Sequence, residues 1–136
     1  MSQAVRVLVV EDDAEVQRLL RTSLTEKGYL VKAVGDGLKA LAEISAHRPD
    51  VVVLDVVLPE LDGLRLLKAL KGRDETRNIP VIVVTAVSQP SKMIEAINAG
   101  ARYYVVKPFD VESLAHKIAT AVSEAQKSAK SSETRP

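Results

Sequence analysis

Five polar residues each stand where a run of apolar, strand-like sequence stops. Glu11 and Asp12 follow Val7-Leu8-Val9-Val10, Asp55 follows Val51-Val52-Val53-Leu54, Thr85 follows Val81-Ile82-Val83-Val84, and Lys107 follows Tyr103 to Val106. Parallel strands would bring these ends to one edge of a sheet, the edge where ligands bind in open α/β folds. Three carboxylates brought together repel one another unless a cation is present. The ligands on offer are oxygens, which suits magnesium, held by one or two carboxylates with water in its remaining positions. The lysine is a second positive charge, and the threonine hydroxyl can donate to an anion. An anionic nucleophile attacking an anionic phosphoryl group needs this charge compensation. Asp55 is then the nucleophile, and the product is an aspartyl phosphate.

Each residue also has a plainer reading. Asp12 or Asp13 could cap a helix, Thr85 could be an ordinary strand residue, and Lys107 a solvated surface lysine. Asp55 could be a cap too, but Asp62, ahead of Gly63 and Leu64, fills that place better. One by one the plain readings are as good as the chemical ones. They do not explain why such residues occur together at four strand ends.

The elements that must hold these residues can be read from hydrophobic spacing and turn residues. Val5 to Val10 is a buried strand, followed by a helix with Val16, Leu19, Leu20, Ser23 and Leu24 on one face. Gly28 closes that helix as the residue after its C-cap. Tyr29 to Val34, interrupted by Lys32, is a more polar strand placed at or near an edge. Asp36 caps a helix with Leu38, Leu41 and Ser45 on one face, ended by Pro49. Val51 to Leu54, apolar throughout, reads as a strand buried on both faces. Pro59, Asp62 and Gly63 mark an irregular loop, and 63–72 is a helix with Leu64, Leu67 and Leu70 inward. Pro80 opens the strand that ends at Thr85. Pro90 suits the first turn of a helix with Met93, Ile94 and Ile97 apolar, stopped by Gly100. Asp110 caps a long last helix carrying Val111, Leu114, Ile118, Ala121, Val122 and Ala125.

Strand and helix alternate five times, which predicts an α/β fold: a five-stranded parallel sheet, doubly wound, with helices on both faces. Residues 1–126 form the domain, and 127–136 read as a polar tail or linker. The formal net charge of +1 gives no electrostatic argument for nucleic acid or membrane. With no cysteine, thiolate metal sites and cysteine nucleophiles are excluded. The apolar runs are strand-length and the start lacks a signal-peptide core, so a cytoplasmic protein is expected.

The chain resembles the receiver domain of two-component response regulators, in the single-domain form typified by the chemotaxis regulator. The matching pieces are Val9-Val10-Glu11-Asp12, Leu54-Asp55 with Leu58-Pro59 and Asp62-Gly63, Val84-Thr85-Ala86, and Gly100-Ala101 through Tyr104 to Lys107-Pro108-Phe109. The resemblance implies a flavodoxin-like fold with strand order 2-1-3-4-5. It implies that Asp55 is the phosphoacceptor and that Asp12 ligates Mg2+ directly, with Glu11 acting through water and the Val57 main-chain carbonyl completing the protein ligands. Thr85 and Lys107 would hold phosphoryl oxygens, Tyr104 would be an aromatic switch coupled to Thr85, and Lys107-Pro108 would be cis. Glu11 departs mildly from the family, many of whose members have aspartate there.

The expected function is a phosphorylation-activated switch rather than a turnover enzyme. A histidine kinase or phosphotransfer protein would donate, and a downstream protein would read the fourth helix, last strand and last helix, with Lys92, Glu95, Ala99, Tyr104 and Lys117 on that face. The alternative is the N-terminal receiver of a longer transcriptional or enzymatic regulator, which would need sequence beyond Pro136. A monomer or a phosphorylation-dependent dimer is expected, with no membrane partner and no nucleic acid bound directly by this chain. A magnesium-dependent phosphohydrolase of the Asp-x-Asp-x-Thr type is rejected, because Val57 stands two residues after Asp55 and cannot transfer a proton. Gly35-Asp36-Gly37 matches no nucleotide-binding glycine loop. Val57 and Val87, two beyond Asp55 and Thr85, cannot orient a hydrolytic water, so a comparatively long-lived phosphoryl group is expected.

Overall fold

The computed structural model describes residues 4–58 and 62–134. The ten elements alternate in the order β1 (Arg6–Val10), α1 (Ala14–Glu26), β2 (Leu30–Val34), α2 (Gly37–Ala46), β3 (Val51–Leu54), α3 (Gly63–Lys71), β4 (Val81–Thr85), α4 (Pro90–Asn98), β5 (Tyr103–Val106) and α5 (Val111–Thr134). All strand pairs are parallel, in the order β2-β1-β3-β4-β5. The polar strand β2 lies at the edge, where its Lys32 is exposed, as its composition predicts. Pro59 of the expected β3–α3 loop lies outside the described residues.

The period-2 alternation of strand side chains builds two cores. Leu8, Val10, Val52, Leu54, Val81 and Val83 face α2, α3 and α4, where they meet Ile44, Leu66, Leu67 and Leu70. Val7, Val9, Val51, Val53, Ile82 and Val84 face α1 and α5, where they meet Leu20, Leu24, Leu114 and Ile118. This is why the runs 7–10, 51–54 and 81–84 are apolar throughout: both faces are covered. Each fully buried leucine or isoleucine contributes about 1.5–3 kcal/mol relative to exposure.

Several helix faces differ from those read off the sequence. In α2 the buried residues are Gly37, Ala40 and Ile44, while Leu38 is 56% exposed and Ser45 is exposed. In α4 only Ala96 is buried, with Ile94 and Ile97 left at 60% and 46% exposure. Small residues let these helices lie close to the sheet, and large apolar neighbours are displaced outward. In α1 Leu19 is exposed, and in α3 Leu66 takes the buried place expected for Leu64, which is half-buried. The last helix does not stop near Gln126 but continues to Thr134. Its final stretch mixes Ser with the good helix formers Lys, Ala, Gln and Glu and has no Gly or Pro before Pro136 to break it.

The helix starts follow the predicted caps. Asp36 Oδ1 accepts from Lys39 N–H at 2.8 Å, Asp62 from Leu64 N–H at 2.9 Å, and Asp110 from Ser113 N–H at 3.1 Å. Each such cap is worth about 1 kcal/mol. Asp13, rather than Asp12, caps α1, accepting from Glu15 and Val16, so Asp12 has no capping role. Gly28, at φ +96°, closes the end of α1.

Candidate functional site

Strand register assembles the site. Val10 pairs with Leu54, so Glu11 comes level with Asp55. Leu54 pairs with Val83, and Thr85 with Val106, so Thr85 and Lys107 follow at the same edge. Glu11, Asp12 and Asp55 each offer a carboxylate oxygen, and these oxygens lie within 4.8 Å of one another. Glu11 and Asp55 are buried, at 3% and 6% exposure, and Asp12 faces solvent.

Lys107 holds the two buried carboxylates together. Its Nζ donates to Glu11 Oε1 and Oε2 at 3.0 and 2.9 Å and to Asp55 Oδ2 at 2.9 Å. The other Asp55 oxygen, Oδ1, accepts the Val57 backbone N–H at 2.9 Å. Two hydrogen bonds therefore fix the Asp55 carboxylate. Glu11 Oε1 also accepts the Asp13 N–H at 3.2 Å. Burial, then the charge of Asp55, pushes the Glu11 carboxyl up despite the hydrogen bond from Lys107. For Lys107, burial alone would lower the ammonium, but its bonds to Glu11 and Asp55 outweigh this and the net shift is upward. Lys107 thus stands as the one ammonium between two acids.

The loop after Asp55 depends on a glycine. A Cβ added to Gly63 would lie 2.4 Å from the Asp55 carbonyl oxygen and 2.5 Å from Val56 Cα. Only a residue without a side chain lets the start of α3 pack against the turn that follows the strand. The Asp62-Gly63 pair is therefore a cap and a close approach in adjacent positions.

Thr85 is fully buried, and its Oγ1 accepts the Val87 N–H at 3.4 Å. The Val87 carbonyl in turn accepts the Tyr104 hydroxyl at 2.6 Å. One loop residue thus bridges Thr85 to Tyr104, a link that no spacing rule in the sequence signals. Tyr104 is half-buried, and burial, followed by the charge of Asp55, raises its phenol. Val57 and Val87 line one pocket of about 190 Å³ with Tyr104, Lys92 and Glu95. Val57 itself is 59% exposed. The Lys107-Pro108 bond is cis.

The donor set fits a hard divalent cation. All three acids offer oxygen, and with every group ionised three carboxylates against one ammonium leave two negative charges. A model of the response regulator receiver domain matches residues 7–119. The chain belongs to this receiver family. The response regulator MprA of Mycobacterium tuberculosis is 43% identical over 111 residues, which cover 82% of this chain and 47% of that protein. The chain spans about half the length of the curated relatives it matches. Among solved structures, the receiver domain of a signal transduction histidine kinase from Syntrophus aciditrophicus superimposes with a TM-score of 0.83 at 35% identity, covering 89% of this chain and 92% of that one. Chemotaxis protein CheY4 of Vibrio cholerae gives 0.82 at 29% identity, covering 88% and 99%. Receiver domains of response regulators are signalling switches, and no described helix is long and apolar enough to cross a membrane.

Proposed function

We propose that this receiver takes a phosphoryl group on Asp55 from a phosphohistidine of a kinase or phosphotransfer protein, with Mg2+ at the acidic cluster. The observation that carries this reading is the Asp55 carboxylate, buried, fixed by Val57 N–H and Lys107, and within reach of two further acids. Asp12 and Asp55 would ligate the ion directly, with the Val57 carbonyl as a third protein ligand. Glu11, both of whose oxygens are engaged by Lys107, suits a role through water. Bound there, the cation would neutralise charge on the phosphoryl oxygens.

An Asp55 oxygen attacks phosphorus, the phosphorus–nitrogen bond of the donor breaks, and its electron pair stays on the imidazole, which takes up a proton. Lys107, already on Asp55 Oδ2, follows the new negative charge. Thr85 uses Oγ1 as acceptor toward Val87, which leaves its O–H to donate to a phosphoryl oxygen. A shift of Thr85 toward the phosphoryl group would pull on Val87 and, through its carbonyl, on Tyr104. That is a two-state element biased by differential contact, which would alter the face of α4, β5 and α5 read by a downstream protein in the cytoplasm.

Intact mass after treatment with acetyl phosphate and Mg2+ should rise by one phosphoryl group, and Asp55→Asn should stay unmodified. Phosphorylation that survives in Asp55→Asn, or in chelator, defeats the assignment. Adding beryllofluoride should move amide resonances at Lys92, Glu95, Ala99, Tyr104 and Lys117. Shifts confined to the surroundings of Asp55 would defeat the switch.

A further inference from the structure

We infer that Gln17 is a positioning residue for the metal site: its side-chain amide fixes the Glu11–Asp12 peptide and thereby aims the Asp12 carboxylate. The inference rests on the metal reading above and adds a residue outside the acidic cluster. Gln17 lies in the first turns of α1, half-buried, and its Nε2 donates to the main-chain carbonyl of Glu11. Among the described residues, no other protein group donates to that carbonyl. β1 has ended at Val10, so the sheet no longer holds the peptide that joins Glu11 to Asp12.

The other parts of the acidic turn are secured separately. Glu11 N–H donates to the Val34 carbonyl at 3.0 Å, and the Glu11 carboxylate is held by Lys107 and by Asp13 N–H. Asp13 is fixed as the cap of α1. Asp12, exposed and between these two anchored residues, makes no side-chain hydrogen bond among the described residues. Its direction is therefore set by the peptide plane on either side. Rotating the Glu11–Asp12 plane would swing the Cα–Cβ bond of Asp12, and Gln17 is the group that resists this. The Gln17 amide also lies over Gly35, where an added Cβ would stand 3.8 Å from Nε2.

Outer contacts of this type orient metal ligands, and their loss commonly weakens metal affinity about 10- to 100-fold. Gln17→Met keeps the length and bulk of the side chain and removes the donor. Gln17→Arg restores N–H donors on a stem that reaches the same carbonyl. Two measurements on the whole chain by NMR separate the possibilities. In metal-free protein, 15N relaxation should show the Asp12 amide more mobile in Gln17→Met than in the parent, and restored in Gln17→Arg. In a Mg2+ titration followed at the Asp12 and Asp55 amides, the dissociation constant should rise about 10-fold in Gln17→Met and return toward the parent in Gln17→Arg. An Asp12 amide equally ordered in Gln17→Met overturns the inference, whether or not metal binds. So does a magnesium affinity unchanged in Gln17→Met, or lost equally in Gln17→Arg. A parent that shows no Mg2+ response at Asp12 instead defeats the metal reading, and the metal-free relaxation data still decide the role of Gln17.

Discussion

The two ends of the sheet handle charge in opposite ways. At the carboxyl ends of the strands, Glu11 and Asp55 are 3% and 6% exposed and share one ammonium, that of Lys107, while Asp12 adds a third carboxylate. At the amino ends, charged groups are satisfied one at a time, by a single opposite charge or by backbone groups. Arg102 grips Glu124 through two contacts of 2.6 Å, and Asp50 accepts the Arg6 backbone N–H at 2.8 Å. Lys71, which burial lowers, donates to the carbonyls of Arg77 and Ile79 and meets no carboxylate among the described residues. Folding alone favours the second arrangement, because gathering like charges away from water costs free energy. The imbalance at the carboxyl ends is where the proposed cation and phosphoryl group would gain the most.

That contrast can be broken first at Gly63. Gly63→Ala forces a methyl group against backbone atoms of Asp55 and Val56, so a loss of about 2–4 kcal/mol is expected, at or above the usual overpacking range. Phosphorylation should slow as well, since the same clash displaces Asp55. Urea unfolding and the rate with acetyl phosphate measure both. Retention of parental stability and rate would mean that the approach of α3 to the strand end does not hold the site.

Next in size are Asp12→Ala and Lys107→Ala, which should separate metal from counter-ion. Asp12→Ala should abolish Mg2+ binding while raising the stability of the metal-free protein, because a repelling carboxylate is removed. Lys107→Ala should keep Mg2+ binding but destabilise the metal-free protein by about 1–3 kcal/mol, since two buried carboxylates lose their shared partner. Mg2+ should restore part of that loss. Thermal melts with and without the ion give the comparison. An equal loss of metal affinity in both variants would merge roles that the account keeps apart.

A smaller effect is expected at the valines. Val57→Asn or Val87→Glu should speed loss of phosphate several-fold, roughly 1 kcal/mol in barrier, by giving a hydrolytic water a hydrogen-bonding partner. The double change should be faster than either. Both residues line the pocket that carries Tyr104. Unchanged or slower loss in all three variants, at matched Mg2+, would reduce these valines to packing. The smallest effect belongs to the other end of the sheet. Arg102→Ala should cost less than about 1 kcal/mol, the range of exposed ion pairs, and leave phosphorylation untouched. A large change there would erase the contrast between the two ends.

The candidate site is legible in the sequence because its polar residues lie at strand ends, and a polar residue after an apolar run is a one-dimensional signal. Asp55, Thr85 and Lys107 needed only that rule and parallel strands to be brought together. Strand order came from family resemblance, since hydrophobic spacing does not say which strands are neighbours. The helix faces of α2 and α4 are hard to read because hydropathy points to Leu38, Ile94 and Ile97, whereas Ala40 and Ala96 are the residues packed inward. The length of α5 is hidden by the polar composition of its end, which looks like a tail although it holds no helix breaker. The Thr85–Val87–Tyr104 bridge and the Gln17–Glu11 bond join residues through backbone groups. Every residue type has such groups, so no pattern of side chains announces them.

The central claim is that one buried carboxylate, Asp55, carries the phosphoryl group. Borohydride reduction of the phosphorylated protein converts an aspartyl phosphate to homoserine, and peptide mass spectrometry then locates it. Homoserine is expected at position 55 alone, formed only when Mg2+ was present during phosphorylation. Homoserine at position 12, or phosphate retained on a serine or threonine with position 55 unchanged, would contradict it.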